Sequence, residues 1–518
     1  MLVKTFTAAV MGLEATTITI EVNLARGVMF HLSGMADTAV KESYDRIRAA
    51  ISNIGFKPPT ADLTVNLSPA DIRKEGCGYD LPLAIGILAA HGKVSDTMLS
   101  DYMMIGELGL DGKLKPISGA LSVAIRARKE KFKGLFVPKE NAREAAVVNH
   151  LDVYGMENIS DVISFLNGCE DNYEPTFVDT RKEFYEQQYA CDLDFADVKG
   201  QESVKRALEV AAAGGHNLIM IGAPGSGKSM MAKRLPGILP PLSLAESLET
   251  TQIHSVAGKL TSGTSLISQR PFRSPHHTVS QVAMTGGGNR ALPGEISMAH
   301  NGVLFLDELP EFSKSTLEVL RQPLEDRKIT ISRAKYTVEY PCSLMFVASM
   351  NPCPCGYYGD PTHHCVCTPG QISRYLSKVS GPLLDRIDIH CEVSVVPFKQ
   401  LSQMQPGEPS AVIRERVIKA RQIQEQRFHE FKGIHCNAQM SERMIHQFAE
   451  PDDASLNMLR LAMERLSLSA RAYSRILKVA RTIADLEGVE QVQSQHIAEA
   501  IGYRSLDRGD WAERALKP

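Results

Sequence analysis

Apolar and polar residues alternate along Thr17 to Leu24 and Leu63 to Leu67, the two-residue period of half-buried β-strands. Over Thr38 to Ile54 and Leu81 to His91 the period lengthens to that of helices. Residues 1–168 therefore read as one α/β unit. Residues 169–194, CEDNYEPTFVDTRKEFYEQQYACDLD, are acidic, polar and aperiodic, and read as a linker. A second α/β unit over 195–398 carries short apolar strands at Asn217 to Ile221, Val303 to Leu306, Ser343 to Ala348 and Ile387 to Val393. Residues 399–508 are helical in pattern, as at Ala411 to Phe431 and Ala472 to Leu486, and predict a small lid domain. A tail at 509–518, holding the only tryptophan, carries no pattern.

Length agrees with this division, because 518 residues exceed what a single core supports. Hydrophobic residues make up 43% and charged residues 23%, a globular balance that excludes disorder as the default. No run approaches the roughly 18 apolar residues of a membrane-spanning helix, so a cytoplasmic protein with no membrane partner is expected. A net charge of -3 offers no global attraction to nucleic acid and counts against a DNA-coating protein. It leaves room for a local basic surface inside a ring.

Candidate chemistry begins after NLIMI. Gly222, Ala223, Pro224, Gly225, Ser226, Gly227, Lys228 and Ser229 fit the phosphate-loop pattern at the strand-to-helix position it requires. Glycines let backbone N–H groups turn toward phosphate oxygens, Lys228 reaches the β and γ phosphates of ATP, and the Ser229 hydroxyl can bind Mg²⁺. The strand in GVLFLDELPEF ends in Asp307 and Glu308. Asp307 is placed to hold the Mg²⁺ shell and Glu308 to polarise the attacking water. SLMFVASMN ends in Asn351, a neutral side chain able to orient that water. SGPLLDRIDIH sets Arg386 before a strand, where it would reach the next subunit's nucleotide in a ring.

These strings, with RPFRSPHHTVS (270–280), PGEISMAHNGVLFLDELPEF (293–312) and NPCPCGYYGD (351–360), resemble the magnesium-chelatase-like ComM family, an AAA+ group, over nearly the whole chain. The resemblance implies an α/β fold of three parts: a Lon-protease-like N-terminal domain, an AAA+ phosphate-loop domain with a parallel sheet, and a helical lid. It further implies a homo-oligomeric, hexameric ring that couples ATP hydrolysis to DNA translocation, branch migration or unwinding in recombination or transformation. By position, the resemblance implies that Val198 and Gly200 pack the adenine and that Arg471 of LSARAYSRIL is the second sensor on the γ phosphate, with Arg475 its rival one turn on. The alternative is a chelatase-like motor that remodels a protein partner.

The Lon-like domain departs from a protease where chemistry matters. Serine–lysine catalysis needs a nucleophile beside a lysine base. The serine region here reads Gly76-Cys77-Gly78-Tyr79-Asp80, and Leu121 stands at the lysine position. A packed Cys77 thiol and no peptidase activity are expected.

Cys353, Cys355, Cys365 and Cys367 crowd into fifteen positions and could close a tetrahedral, structural Zn²⁺ site, with His363 or His364 able to replace one ligand. The other reading is a metal-free cysteine-rich loop. RKITISRAKYTVEY predicts a hairpin with Arg333 and Lys335 at its tip, the candidate DNA contacts. His276 and His277, lacking partners in sequence, read as polar loop residues.

Overall fold

The computed structural model describes the chain except residues 1, 28, 59–60, 190–192, 262, 334–335, 361–362, 396–406, 467 and 505–518. Lys335 therefore lies outside the described residues.

The first α/β unit is built on a seven-stranded mixed sheet. Its spatial order is Phe30–Ser33, Asp62–Ser68, Glu14–Ala25, Leu2–Met11, Tyr102–Met104, Gly134–Pro138, Asp152–Met156. Leu2–Met11 and Glu14–Ala25 form a hairpin closed at Met11 opposite Glu14, so Gly12 and Leu13 alone make the turn. Gly12 takes φ +62°, the left-handed region that such tight turns demand. Helix Asp80–Ala90, apolar on all sides, is buried along its whole length, as a helix without a polar face must be. The predicted helix over 38–54 divides into Thr38–Lys41 and Ser43–Asn53. At the break the Ser43 hydroxyl donates to the Val40 carbonyl at 2.6 Å, a local bond that competes with helical pairing.

The segment read as a linker is more ordered than its composition suggests. Helix Thr180–Gln187 lies within it, capped by Asp179, which accepts from the Lys182 N–H at 3.0 Å. Phe184 anchors it, buried at 3% exposure. Eight residues with one buried aromatic are too few for a helical period to stand out in the sequence.

The second unit carries a five-stranded parallel sheet in the order Phe272–Arg273, Val303–Leu306, Met345–Met350, Leu218–Gly222, Ile389–Val393. The expected strand at Ser343 to Ala348 starts two residues later. Ser343 is spent on the preceding loop, donating its N–H to His300 Nδ1 at 3.0 Å and accepting from the Asn301 N–H at 2.8 Å. The later start brings the strand's end to Met350, directly before Asn351.

Beyond residue 407 the described chain is helical: Ser410–Phe428, Glu442–Phe448, Asp453–Leu466, Ala470–Glu487 and Ser494–Gly502. These helices do not form a detached lobe. Val417, Ile476 and Ile483 belong to the same buried cluster as Leu208, Met220 and Val347 of the sheet unit. No helix among the described residues is long and apolar enough to cross a membrane.

Candidate nucleotide site

Parallel sheets place ligands beyond the C-terminal ends of their strands, where the strand order reverses. Here three of those ends converge. Leu218–Gly222 delivers the loop 222–227, Val303–Leu306 delivers Asp307, and Met345–Met350 delivers Asn351. Gly225 and Gly227 take φ +76° and +91°, which the loop's inward turn requires and a Cβ would penalise.

Lys228 is buried beneath the loop. Its Nζ donates to the carbonyls of Gly222 at 2.7 Å and Ala223 at 2.9 Å, and to Asn351 Oδ1 at 3.3 Å. Burial pushes its pKa down, while the charges of Asp307 and Glu308 pull the other way. Ser229 Oγ donates to Asp307 Oδ2 at 2.5 Å, and the Ser349 hydroxyl donates to the other oxygen. Two hard oxygens so close suit adjacent corners of an octahedral Mg²⁺, which stand about 2.9 Å apart at ordinary Mg–O lengths.

Glu308 holds φ +53° and ψ +49°, a left-handed conformation that costs a non-glycine residue about 1–3 kcal/mol. Its carboxylate is exposed and stands 3.9 Å from His277 Nδ1. His277 in turn lies against His276, ring centres 4.0 Å apart. Sequence reasoning assigned both histidines to the loop surface and missed the approach to Glu308. Only the chain reversal near 300 brings them together. Val198 is fully buried in the core cluster, and Gly200 at φ +68° opens the way to helix Glu202–Gly214.

Arg386 lies at the opposite end of the sheet. Strand Ile389–Val393 runs parallel to the phosphate-loop strand, with Ile389 beside Leu218 and Val393 beside Gly222. Arg386 precedes that strand, so about 13 Å of strand separates its end of the sheet from the phosphate loop. Its guanidinium donates to the Pro382 carbonyl at 2.7 Å and pairs with Glu325. Arg471 joins it: Nη1 donates to Asp385 Oδ2 at 2.9 Å, and the two arginines line one polar cleft of about 470 Å³ together with Arg327, Arg475 and Lys478. None of the phosphate-loop residues lines that cleft. Arg475 pairs with Asp388, deeper in the same cleft. Burial works against the Asp388 charge, yet Arg475 and His216 hold its carboxyl well below the usual range.

The four clustered cysteines meet. Sγ distances are 3.3 Å for Cys353 to Cys355, 3.7 Å for Cys353 to Cys365 and 3.6 Å for Cys355 to Cys365, and all four sulfurs lie within 4.8 Å of one another. Tetrahedral Zn–S bonds of about 2.3 Å set sulfurs roughly 3.8 Å apart. The donor set therefore fits zinc.

Arg333 ends strand Lys328–Arg333 of a hairpin with Tyr336–Pro341, as expected. Its guanidinium lies over Gly287, where a Cβ would come within 3.0 Å of Nη2. In the N-terminal unit Leu121 is fully buried and its N–H donates to Glu144 at 3.0 Å. Burial raises the Cys77 thiol, and among the described residues no side chain hydrogen-bonds to it. The nearest lysine in sequence, Lys74, is fully buried and donates to the carbonyls of Leu67 and Pro69.

Comparison with known proteins agrees over the whole length. Residues 194–401 match the family described as magnesium chelatase, subunit ChlI, residues 20–141 that described as subunit ChlI of Mg-chelatase, and residues 407–504 its C-terminal family. The chain is 43% identical to competence protein ComM of Haemophilus influenzae, over 97% of both chains. It is equally similar, 43% over 97% of each, to the uncharacterized protein YifB of Escherichia coli. A partial likeness of 30% over 28% of this chain links it to Lon protease 2 of Bacillus subtilis. With a phosphate loop, an acidic strand end and full-length relatives in register, the chain belongs to the magnesium-chelatase-like ComM family and is an AAA+ ATPase.

Proposed function

We propose that this ATPase works as a hexameric ring of identical chains, each ATP site being completed by a neighbour, and that the ring spends hydrolysis on moving along DNA in branch migration or unwinding. One observation carries the ring: Arg386 and Arg471 share a cleft at the end of the sheet opposite Lys228, so one chain's two arginines do not face its own phosphate loop. A second copy brings them to it.

Within each site, loop residues 222–227 and Lys228 cradle the triphosphate, while Val198 and Gly200 border the adenine. Ser229 and Asp307 hold Mg²⁺, which neutralises phosphate charge when bound. Glu308 polarises the attacking water and Asn351, hydrogen-bonded to Lys228, orients it. The neighbour's Arg386 and Arg471 stabilise charge on the γ phosphate, a contribution of about 10³ to 10⁵ in rate for arginines of this kind. Cys353, Cys355, Cys365 and Cys367 hold a structural zinc without taking part in chemistry. Residues 1–168 act as a scaffold rather than a peptidase, with 169–194, 195–398 and 399–508 as joint, motor and lid.

DNA contact is assigned to Arg333 and Lys335. Arg333, opposite Tyr336, is the last paired residue of its strand at the turn end of the hairpin, and Lys335 follows two positions later in the sequence; two cations so close suit following a phosphate backbone. One relative is named a competence protein, and DNA handling comes to this chain as part of the same proposal. The second reading, a chelatase-like motor acting on a protein partner, is favoured by the family descriptions and by the net charge of -3. Measuring ATP turnover with and without single-stranded or branched DNA separates them: stimulation supports the DNA motor, and a flat response favours the protein remodeller.

A further inference from the structure

Asn217 sits one residue before the phosphate-loop strand, and its backbone and side chain make five hydrogen bonds to two other strands or their approaches. Nδ2 donates to the Arg386 carbonyl at 2.8 Å, and Oδ1 accepts from the Phe346 N–H at 2.9 Å. The partners settle which way the amide points, since a carbonyl can only accept and an N–H can only donate. Along the main chain, the Asn217 N–H donates to Asp388 Oδ2 at 3.3 Å, and its carbonyl accepts from the N–H groups of Asp388 at 2.9 Å and Ile389 at 3.0 Å.

The strands involved have separate duties. Leu218, next in sequence, begins the strand that ends in the phosphate loop. Phe346 lies in the strand that ends at Asn351. Arg386 is the residue assigned to a neighbour's nucleotide. Apart from a local bond from its own N–H to Leu383, the backbone of Arg386 is held among the described residues by Asn217. Its side chain rests on Pro382, four residues back, and on Glu325, a carboxylate 65% exposed. Those contacts are local or solvent-screened, so the amide of Asn217 is what sets the arginine's base against the sheet.

We propose that Asn217 is a positioning residue which fixes Arg386 for the neighbouring subunit and ties it to the strands of this chain's own nucleotide site. This rests on the assignment of Arg386 given above. A shift at the phosphate loop or at Asn351, carried along rigid strands, then reaches the base of the lent arginine through the side chain and backbone of Asn217.

The test compares Asn217→Asp, Asn217→Ala, Arg386→Ala and Asn217→Ala/Arg386→Ala in the full-length protein. Aspartate keeps the acceptor for Phe346 but sets an oxygen against the Arg386 carbonyl; alanine avoids a new charge beside Asp388 should the first variant fail to fold. Turnover is expected to fall at least about tenfold in each Asn217 variant, with the affinity for a fluorescent ATP analogue changed less than about threefold, because binding uses the chain's own loop. The double variant should be no slower than Arg386→Ala, since residues acting as one unit are not additive. Mixing adds a readout that a merely structural role does not move. Asn217→Ala subunits should regain turnover with Lys228→Ala subunits, which lend an intact arginine, and gain nothing from Arg386→Ala subunits. Rescue by Arg386→Ala subunits, multiplicative loss in the double variant, or normal turnover in Asn217→Ala overturns the proposal. Normal turnover in Arg386→Ala itself overturns the arginine assignment first, and the proposal with it.

Discussion

Gly356 of the cysteine loop lies directly on Pro224 of the phosphate loop: a Cβ added to Gly356 would come within 2.5 Å of Pro224 Cδ. Gly356 also holds φ +87°, so both space and backbone conformation exclude a side chain there. The cysteine loop and the phosphate loop are thus packed directly against each other.

Purified protein should contain about one zinc per chain by metal analysis, released when Cys353 and Cys365 become serine. Nucleotide affinity should drop with the metal. Gly356→Ala should cost about 1–3 kcal/mol of stability, the range for forced overpacking, and weaken ATP binding while zinc is retained. Zinc-free wild-type protein prepared without chelator or oxygen would remove the metal assignment.

Lys228→Ala should abolish ATP binding, because a neutral stub leaves the phosphate charges uncompensated. Glu308→Gln should bind ATP normally and turn it over slower by about 10² to 10⁴, the usual worth of a general base. Equilibrium binding and single-turnover rates distinguish the two, and ordinary turnover in either variant contradicts the site.

Arg386→Ala alone should be nearly inactive, yet mixing it with Lys228→Ala subunits should restore activity at interfaces that pair an intact loop with an intact arginine. A titration of one variant into the other reads this directly. A linear fall with no recovery would place the arginine in its own chain's site.

Replacing Arg333 and Lys335 together by alanine should lower the salt dependence of DNA binding by about two units of slope, one for each phosphate that is no longer neutralised. DNA-independent hydrolysis should persist, since none of Lys228, Ser229, Asp307, Glu308 or Asn351 lies on the hairpin. Unaltered binding and movement on DNA would reassign the DNA-binding surface.

Arg46→Met should destabilise the N-terminal unit by about 3–5 kcal/mol, because it leaves the fully buried Asp80 carboxylate without its two-pronged partner at 2.9 Å. Burial already raises the Asp80 pKa and Arg46 opposes it. Arg46→Met/Asp80→Leu should recover most of the loss in a thermal melt. A double variant as unstable as the single one would trace the loss to packing rather than to the stranded charge.

Much of the nucleotide site is local and could be read in the sequence. Gly222 to Ser229 are contiguous, running from a strand end through a loop into a helix start, and Asp307 and Asn351 each end an apolar run, so period and punctuation place them. The four cysteines were legible for the same reason, all falling within fifteen positions. What escaped detection depends on chain reversal. His277 meets Glu308 from 31 residues away, and Asn217 reaches Arg386 across 169. Arg471 could be matched by motif, but its end of the sheet is decided by how helix Ala470–Glu487 packs. Helix Thr180–Gln187 was hidden by having a single apolar anchor.

The two-residue turn at Gly12 and Leu13 has one more consequence. Val338, midway along the 328–341 hairpin, fills the space a Cβ on Gly12 would take, and Leu13 packs into that hairpin's own buried cluster. In return Leu266 of the motor lies in the core of the N-terminal sheet, where Leu248 also rests. The N-terminal unit lends one leucine and takes two. A truncation at 168 would therefore not liberate a clean motor: it would pull a plug from beneath the hairpin assigned to DNA and leave Leu266 facing water, so the shortened protein should be sticky and its hairpin slack even with every ATP-site residue intact.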